Sequence, residues 1–125
     1  MKNLNDHSEI YLNFLRISGD VRRMPAYPSL DLPEERLLDL LATYWSTGKK
    51  ITVLKAMQMS SDASSTTVHR RLKTLRLKGM LELQMDEDDN RVKYIHATQL
   101  SRDYLSHLGK SVVAAASAGK SDHPQ

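Results

Sequence analysis

The chain contains no cysteine, and this absence excludes several kinds of chemistry. Without thiols there is no disulfide, no thiolate nucleophile, no thiol-based redox sensing and no cysteine-ligated zinc site. The chain also lacks a long apolar run, and residues 1–9 are polar where a secretory signal would need an apolar stretch. We therefore expect a protein of the cytoplasm that does not enter a membrane.

Sequence signatures of catalysis and of cofactor binding are missing as well. There is no glycine-rich phosphate loop, no nucleophile elbow and no zinc-protease motif. The histidines other than His69 are scattered without partners at ligand spacing, so we expect no metal site. The adjacent acids Glu34 and Glu35 fall in the first turn of a predicted helix, where they stabilise the helix dipole. The sequence therefore predicts no enzyme and no cofactor.

What the chain does contain is a basic middle segment. Its 125 residues allow one domain of ordinary size. Residues 1–48 hold five basic and seven acidic side chains, residues 49–79 hold eight and one, and residues 80–125 hold five and seven. The net charges are therefore −2, +7 and −2. This distribution predicts one face that binds phosphates, and a solvated basic helix without a partner is the alternative.

Two helices are predicted before the basic segment. Apolar residues recur at helical spacing over residues 6–19, and the glycine at the end of this range is expected to stop the helix. Two prolines make residues 22–30 an irregular connection. Asp31 and Glu34 then form the pattern of a capping box, which opens a second helix with a wide apolar face. This second helix is the expected centre of the core.

The basic segment itself predicts a helix-turn-helix pair. Residues 50–52 favour a short strand, and residues 53–59 have the apolar spacing of a short helix. After a small polar turn, Ser64 is a good N-cap for a helix over residues 65–78, which Gly79 closes.

The second helix of this pair has two different faces. Val68, Leu72 and Leu75 share the apolar face. The opposite face, which we expect to be in solvent, carries the polar and basic side chains Ser65, Thr66, His69, Arg70, Lys73 and Arg76.

The last third of the chain predicts a hairpin and a helix. Residues 80–85 and 92–96 alternate between apolar and polar side chains, and the turn-forming residues between them predict a two-stranded hairpin. Thr98 can cap a last helix over residues 99–118. Residues 119–125 are expected to be a disordered tail.

This order of elements is typical of a winged helix-turn-helix domain. The predicted fold class is mainly α with a small β hairpin (α+β), with the winged helix-turn-helix over residues 31–98. Residues 1–30 and 99–118 add N- and C-terminal helices whose apolar stripes exceed what one small domain can bury. We expect these stripes to form a homodimer interface, and their members are Ile10, Phe14, Ile17, Tyr104, Leu108 and Val112.

Several short sequences point to one family when they are taken together. They are residues 64–68 (Ser-Ser-Thr-Thr-Val), Arg70, Leu75, residues 78–81 (Lys-Gly-Met-Leu), residues 89–91 (Asp-Asn-Arg) and Thr98. With them, residues 33–108 resemble the DNA-binding core of the MarR family of bacterial regulators. The resemblance covers roughly sixty per cent of the chain.

The resemblance implies a role for two residues of the wing. In the family an Asp-x-Arg pattern places an arginine at the minor groove with the acid holding it, and here these residues are Asp89 and Arg91. A turn-forming Asp89 and a solvated Arg91 are the alternative interpretation. The acidic run over residues 86–89 would repel phosphate, so at most one of its four carboxylates can face DNA.

Three features depart from the family pattern. The turn before Ser64 is one or two residues longer than usual and has no glycine, Ser101 stands where the family commonly has glycine, and the C-terminal region is shorter. The helix angle, the dimer geometry and any effector site therefore do not carry over from the resemblance.

The sequence thus predicts a sequence-specific double-stranded DNA-binding protein, a bacterial transcriptional regulator that binds a near-palindromic site as a homodimer. The recognition helix over residues 65–78 would enter the major groove, and the wing over residues 80–97 would lie at the minor groove. Arg70 suits a bidentate contact with guanine. The predicted DNA-binding residues are Ser64, Ser65, Thr66, His69, Arg70, Lys73, Arg76 and Arg91, with Asp89 as wing support. Further candidates for phosphate contacts are Lys49, Lys50, Arg71 and Lys78.

Other functions remain open from the sequence. The acidic wing favours an alternative, a winged-helix protein-protein interaction module without specific DNA binding. A role in replication or partition instead of transcription is not separable by sequence. The same holds for a small-molecule effector, which the family resemblance would place at the junction between the dimer helices and the DNA-binding domain.

Overall fold

The computed structural model describes residues 6–60 and 63–121, with the backbone alone for 118–121. Its elements, in chain order, are α1 (Asp6–Arg22), α2 (Leu32–Trp45), β1 (Ile51–Thr52), α3 (Val53–Met59), α4 (Ser65–Leu77), β2 (Leu81–Met85), β3 (Lys93–Ala97) and α5 (Gln99–Ser121). This order confirms the predicted α+β winged helix-turn-helix with additional terminal helices. The chain divides into two compact units, one of residues 1–29 with 102–125 and one of Leu30–Ser101.

The predicted capping box opens α2. Asp31 Oδ1 accepts a hydrogen bond from Glu34 N at 2.8 Å, and Glu34 Oε1 accepts one from Asp31 N at 2.8 Å. These two bonds satisfy backbone donors that the first helical turn leaves free. Leu37, Leu38 and Leu41 are buried on the face that follows, so α2 is a central part of the core of its unit, as predicted.

Three strands form one antiparallel sheet in the order β1-β3-β2. Sequence analysis predicted the hairpin and a short strand over residues 50–52, and the structure shows that this strand, β1, pairs with the other side of β3. Ile95 of the central strand pairs with Ile51 on one side and with Leu83 on the other. Its carbonyl accepts a hydrogen bond from Trp45 Nε1 at 3.0 Å, which attaches the end of α2 to the sheet.

Two helix ends differ from the predictions. Helix α1 continues through Gly19 to Arg22, because Gly19 does not have the positive φ of a helix-terminating glycine and its carbonyl accepts a helical bond from Arg23 N. Helix α5 continues to Ser121, three residues past the end predicted at residue 118. The alanine-rich stretch over residues 114–118 favours this extension because alanine has the highest helix propensity. The rest of the predicted tail lies outside the described residues.

The unit of the terminal helices has a small aromatic centre. Tyr27 is buried and packs edge-to-face on Tyr104, with ring centroids 5.2 Å apart. A hydrogen bond joins the Tyr27 hydroxyl to His107 Nδ1. Burial, and after it the charge of Asp103, raises the pKa of Tyr27, so this phenol stays protonated.

Candidate nucleic-acid interface

Helix α4 begins at the predicted serine cap. Ser64 Oγ accepts a hydrogen bond from Thr67 N at 3.2 Å and donates one to Thr67 Oγ1 at 2.9 Å. The bond from the amide satisfies one of the donors that the first helical turn leaves free. The structure thus gives the Ser64 hydroxyl a local role, and its contact with DNA stays a prediction.

The structure confirms that α4 has one buried apolar face and one exposed polar face. Val68, Leu72 and Leu75 are at most 5% exposed and anchor the helix to its unit. The opposite face is in solvent, and its exposed side chains are Ser65, Thr66, His69, Arg70, Lys73 and Arg76. A helix held by one apolar side can present the other side to a groove of a nucleic acid.

Three cations on this exposed face have no acidic partner among the described residues. Within residues 6–60 and 63–121, no carboxylate forms an ion pair with Arg70, Lys73 or Arg76. Arg70 in particular forms no salt bridge within the described part of the chain. The charge of this face is therefore available to an external anion.

The wing presents a further arginine that an acid holds in place. Arg91 donates from Nε to Asp89 Oδ1 at 3.0 Å and from NH2 to Asp89 Oδ2 at 3.2 Å, and its backbone N also donates to Oδ1 at 3.0 Å. These bonds lower the pKa of Asp89. The bonds from the Arg91 side chain are the main cause, and the bond from the Arg91 backbone adds to it. The Arg91 side chain is 87% exposed. The predicted pairing is present, while its position at a minor groove stays a prediction.

Another carboxylate of the acidic run turns into the hairpin. Asp86 Oδ2 accepts hydrogen bonds from Asp88 N at 3.0 Å and Asp89 N at 3.1 Å, and Oδ1 accepts one from the Tyr94 hydroxyl at 2.9 Å. The bond from Tyr94 is the main cause that lowers the pKa of Asp86, and it also raises the pKa of Tyr94. Lys50 Nζ lies 5.0 Å from the centre of the Tyr94 ring, within the range of a cation–π contact.

The four acids of the run over residues 86–89 thus fall into two groups. Asp86 and Asp89 accept hydrogen bonds inside the wing, whereas Glu87 and Asp88 are exposed. Sequence analysis allowed at most one of the four to face DNA. Two of the four carboxylates in this run are therefore hydrogen-bonded inside the wing.

Helix α4 and the wing border the same groove. A cavity of about 260 Å³ is lined by His69, Lys73, Arg76 and Lys93 over an apolar floor of Val53, Leu72 and Leu83. A second cavity of about 500 Å³ has His69, Lys93 and Arg91 among its lining residues. Since His69 and Lys93 line both cavities, α4 and the wing form one continuous surface that is rich in basic groups.

Lys78 forms an ion pair that the sequence did not predict. Its Nζ lies 2.8 Å from Glu34 Oε1, and the Glu34 side chain is only 4% exposed. The structure thus gives the Lys78 charge a partner inside its own unit, and its contact with phosphate stays a prediction. Sequence analysis missed the contact with Glu34 since the partners are 44 positions apart.

The Asp86–Tyr94 bond was also missed. Asp86 was interpreted as a turn former and Tyr94 as a strand residue. The antiparallel register pairs Gln84 with Tyr94. Asp86 comes two positions after Gln84, so its side chain lies on the same face and diagonal to Tyr94. An explicit register for the predicted hairpin could have indicated this contact.

Two departures from the family pattern can be located in the structure. The connection before α4 spans residues 60–64, of which 61–62 lie outside the described residues. Ser101 is fully buried, and its N donates to Thr98 Oγ1 at 3.1 Å, which confirms Thr98 as the cap of α5. The Thr98 hydroxyl in turn donates to Gly79 O at 2.6 Å, so this cap also ties the end of the helix-turn-helix to α5.

Metal sites and membrane-spanning helices are absent from the described ranges. No three histidine or acidic side chains among residues 6–60 and 63–121 converge as metal ligands. No helix in the same ranges combines the length and the apolar character needed to cross a membrane.

Comparison with known proteins gives matches to solved structures. No protein-family model and no curated protein matches the chain. The chain is similar to the transcriptional regulator Tm0710 from Thermotoga maritima, with a TM-score of 0.64 and 16% identity over 93% of this chain and 73% of that one. It is also similar to the heme sensor protein PefR from Streptococcus agalactiae, with a TM-score of 0.58 and 17% identity over 100% and 84%. These matches confirm the winged helix-turn-helix fold predicted from the sequence.

Proposed function

We propose that the chain is a transcriptional regulator that binds double-stranded DNA at specific sequences as a homodimer. Helix α4 would enter the major groove of a near-palindromic site, and the hairpin of β2 and β3 would lie at the minor groove. The observation that carries this proposal is the exposed basic face of α4 beside the exposed Arg91 of the wing. The likeness of the fold to a transcriptional regulator supports it.

The chemistry of this face suits a duplex better than it suits a small anion. A major groove is about 12 Å wide and admits one helix. Cations on α4 can neutralise phosphates, while hydroxyls and guanidinium groups at its exposed face can bind base edges. Arg70 is the residue that we assign to base recognition, and Lys73 is assigned to phosphate.

The test is a titration of the full chain on duplexes selected from a random pool, at two or more salt concentrations. Arg70→Ala should cost about 1–3 kcal/mol and relax the preference at one base position. Lys73→Ala should weaken all sequences alike and reduce the salt slope by about 0.9. Lys110→Ala, which removes an exposed cation of α5, serves as the control and should change neither quantity.

Two results would contradict the proposal. If Arg70→Ala and Lys73→Ala each lost the same affinity on every duplex sequence, Arg70 would not be a base-recognition residue. If the unaltered chain retarded no duplex at low salt, the DNA-binding function itself would fail. Capture of one stoichiometric protein partner would then favour the protein-interaction module, for which the exposed Glu87 and Asp88 of the wing would be the binding groups.

The homodimer part of the proposal rests on apolar side chains of the terminal helices. Tyr11, Leu12 and Leu15 of α1 and Val112 and Val113 of α5 are 43–66% exposed. In α1 the three side chains share one face at helical spacing, which is typical of an interface. Of the stripe predicted from sequence, Tyr104 is buried within one chain and Val112 is exposed.

The dimer is tested by sedimentation of single charged variants. Leu15→Glu should give a monomer and weaken DNA binding, because a dimer places two recognition helices about 34 Å apart on one site. Leu32→Glu adds the same charge at an exposed leucine of α2 and should leave the dimer intact. A monomeric unaltered chain at tens of micromolar would overturn this part of the proposal.

A small-molecule effector is the last part of the proposal. It is supported by the heme sensor, which combines the same fold with a bound ligand. Hemin is the first compound to add to the retardation assay. Release of the duplex would make hemin an effector, and unchanged retardation would exclude it.

A further inference from the structure

We propose that Asp86 and Tyr94 are positioning residues whose hydrogen bond holds the wing in the shape that presents Arg91 to DNA. The inference rests on the proposed function of this surface. It implies that an acidic side chain inside the DNA-binding wing strengthens binding, although its charge repels phosphate. Neither Asp86 nor Tyr94 needs to touch the duplex for this effect.

The Asp86 carboxylate connects the turn of the wing to the centre of the sheet. One oxygen accepts the amides of Asp88 and Asp89 in the turn, and the other accepts the hydroxyl of Tyr94. Tyr94 lies on the central strand, opposite Gln84 of β2 and Thr52 of β1. The turn is thereby fixed to a strand that has neighbours on both sides.

The same set of bonds continues to the exposed arginine. The Asp89 backbone is held by Asp86 at 3.1 Å, and the Asp89 side chain holds the Arg91 guanidinium at 3.0 and 3.2 Å. On the other side, the Lys50 ammonium lies over the ring of Tyr94. Loss of the Asp86 contacts would therefore release the backbone from which Asp89 orients Arg91.

The Asp86 carboxylate has two opposite effects on affinity for a duplex: it positions the wing, and its charge repels phosphate. Because the signs differ, variants can separate the two effects. Removing any carboxylate near a duplex reduces repulsion and should tighten binding. Removing Asp86 also releases the turn, whereas removing the exposed Asp88 side chain does not. Tyr94→Phe deletes the hydroxyl without changing the charge and keeps the ring on the sheet.

The experiment measures duplex affinity of the full chain and of three single variants, each also in an Arg91→Ala background. Asp88→Ala should bind roughly two- to fivefold more tightly. Asp86→Ala and Tyr94→Phe should bind about two- to tenfold more weakly. In the Arg91→Ala background the two weakening effects should disappear, because the arginine that they position is gone.

A measurement without DNA separates the wing geometry from the proposed function. Solvent exchange of the Arg91 Nε–H, followed by NMR, should be faster in Asp86→Ala and Tyr94→Phe than in Asp88→Ala. If Asp86→Ala tightened binding as Asp88→Ala does, or weakened it equally with Arg91 absent, the inference would be overturned. If the exchange rates changed as expected but the unaltered chain bound no duplex, the proposed function would have failed rather than the wing geometry.

Discussion

The ammonium group of Lys78 lies 2.8 Å from Oε1 of Glu34, and the same oxygen accepts the backbone N–H of Asp31. One buried carboxylate therefore serves two elements, because it closes the first turn of α2 and binds the residue that caps the end of α4. This contact thus joins the C-terminal end of α4 to the N-terminal end of α2.

Lys78→Met should lower the free energy of unfolding by about 1–3 kcal/mol, because it leaves a buried carboxylate without its cation. Urea denaturation measures this value. Lys73→Met removes an exposed lysine of the same helix and should change stability by less than about 0.5 kcal/mol. Equal destabilisation by the two variants would show that the Glu34 contact contributes nothing specific.

Two glycine substitutions should change stability in opposite directions. Gly79 has a φ of +80°, a left-handed conformation that a side chain disfavours, so Gly79→Ala should cost about 1–2 kcal/mol. Gly109 lies within α5 with open space around its Cα, so Gly109→Ala should stabilise by about 0.5–1 kcal/mol. Thermal unfolding of both variants at equal protein concentration checks the signs, and the same sign for both would refute the argument.

The hairpin of the wing should lose its order in acid. Because hydrogen bonds lower the pKa values of Asp86 and Asp89 in the folded state, their contribution is present above the usual carboxyl pKa of about 4 and is lost as the pH falls through the lower folded values. Amide NMR signals of Asp88 and Arg91 should follow this loss.

Tyr94→Phe should raise the pKa of Asp86 toward its usual range, because the hydroxyl of Tyr94 is the main cause of the lowering. At high pH the same hydrogen bond is lost as the pH rises rather than as it falls, because Tyr94 then titrates. The pKa of Tyr94 is raised, so the contribution of its hydroxyl is present below about pH 10 and is lost as the pH rises through the folded value. An unchanged Asp86 titration in Tyr94→Phe would contradict the assigned cause.

Ser64→Ala should lower the free energy of unfolding by about 1 kcal/mol, because the N-cap bond to Thr67 N is lost. Ser64→Gly should cost only a few tenths of a kcal/mol, since glycine is tolerated at this position. Denaturation of the two variants gives the comparison. An equal loss in the two variants would contradict the expected tolerance of glycine at this N-cap.

Local patterns were sufficient to predict much of the fold. The capping box of Asp31 and Glu34, the N-cap at Ser64 and the buried face of α4 depend on residues within one or two turns of each other, where spacing decides contact. The failures at Gly19 and beyond residue 118 concern helix ends. There a stop signal competes with propensity, and neither decides alone.

The candidate site likewise has features that local sequence predicts and contacts that it does not. The exposed side of α4 followed from its periodicity, and the Asp89–Arg91 pair is close enough in sequence for a family pattern to indicate it. The contacts of Lys78 with Glu34 and of Tyr94 with Asp86 depend on how helices and strands are placed, so composition and spacing could not supply them.

The amino-acid sequence by itself determined which segments become helices and strands and which side of α4 is basic, because both follow from short-range periodicity and capping. Only the tertiary structure decided which charges are available on that surface. It brings Lys78 onto a buried carboxylate and turns Asp86 onto a neighbouring strand, while Arg70, Lys73 and Arg76 remain in solvent. The reason is physical: an ion pair or hydrogen bond forms where packing brings two groups within about 3 Å, and distance along the chain does not fix that separation.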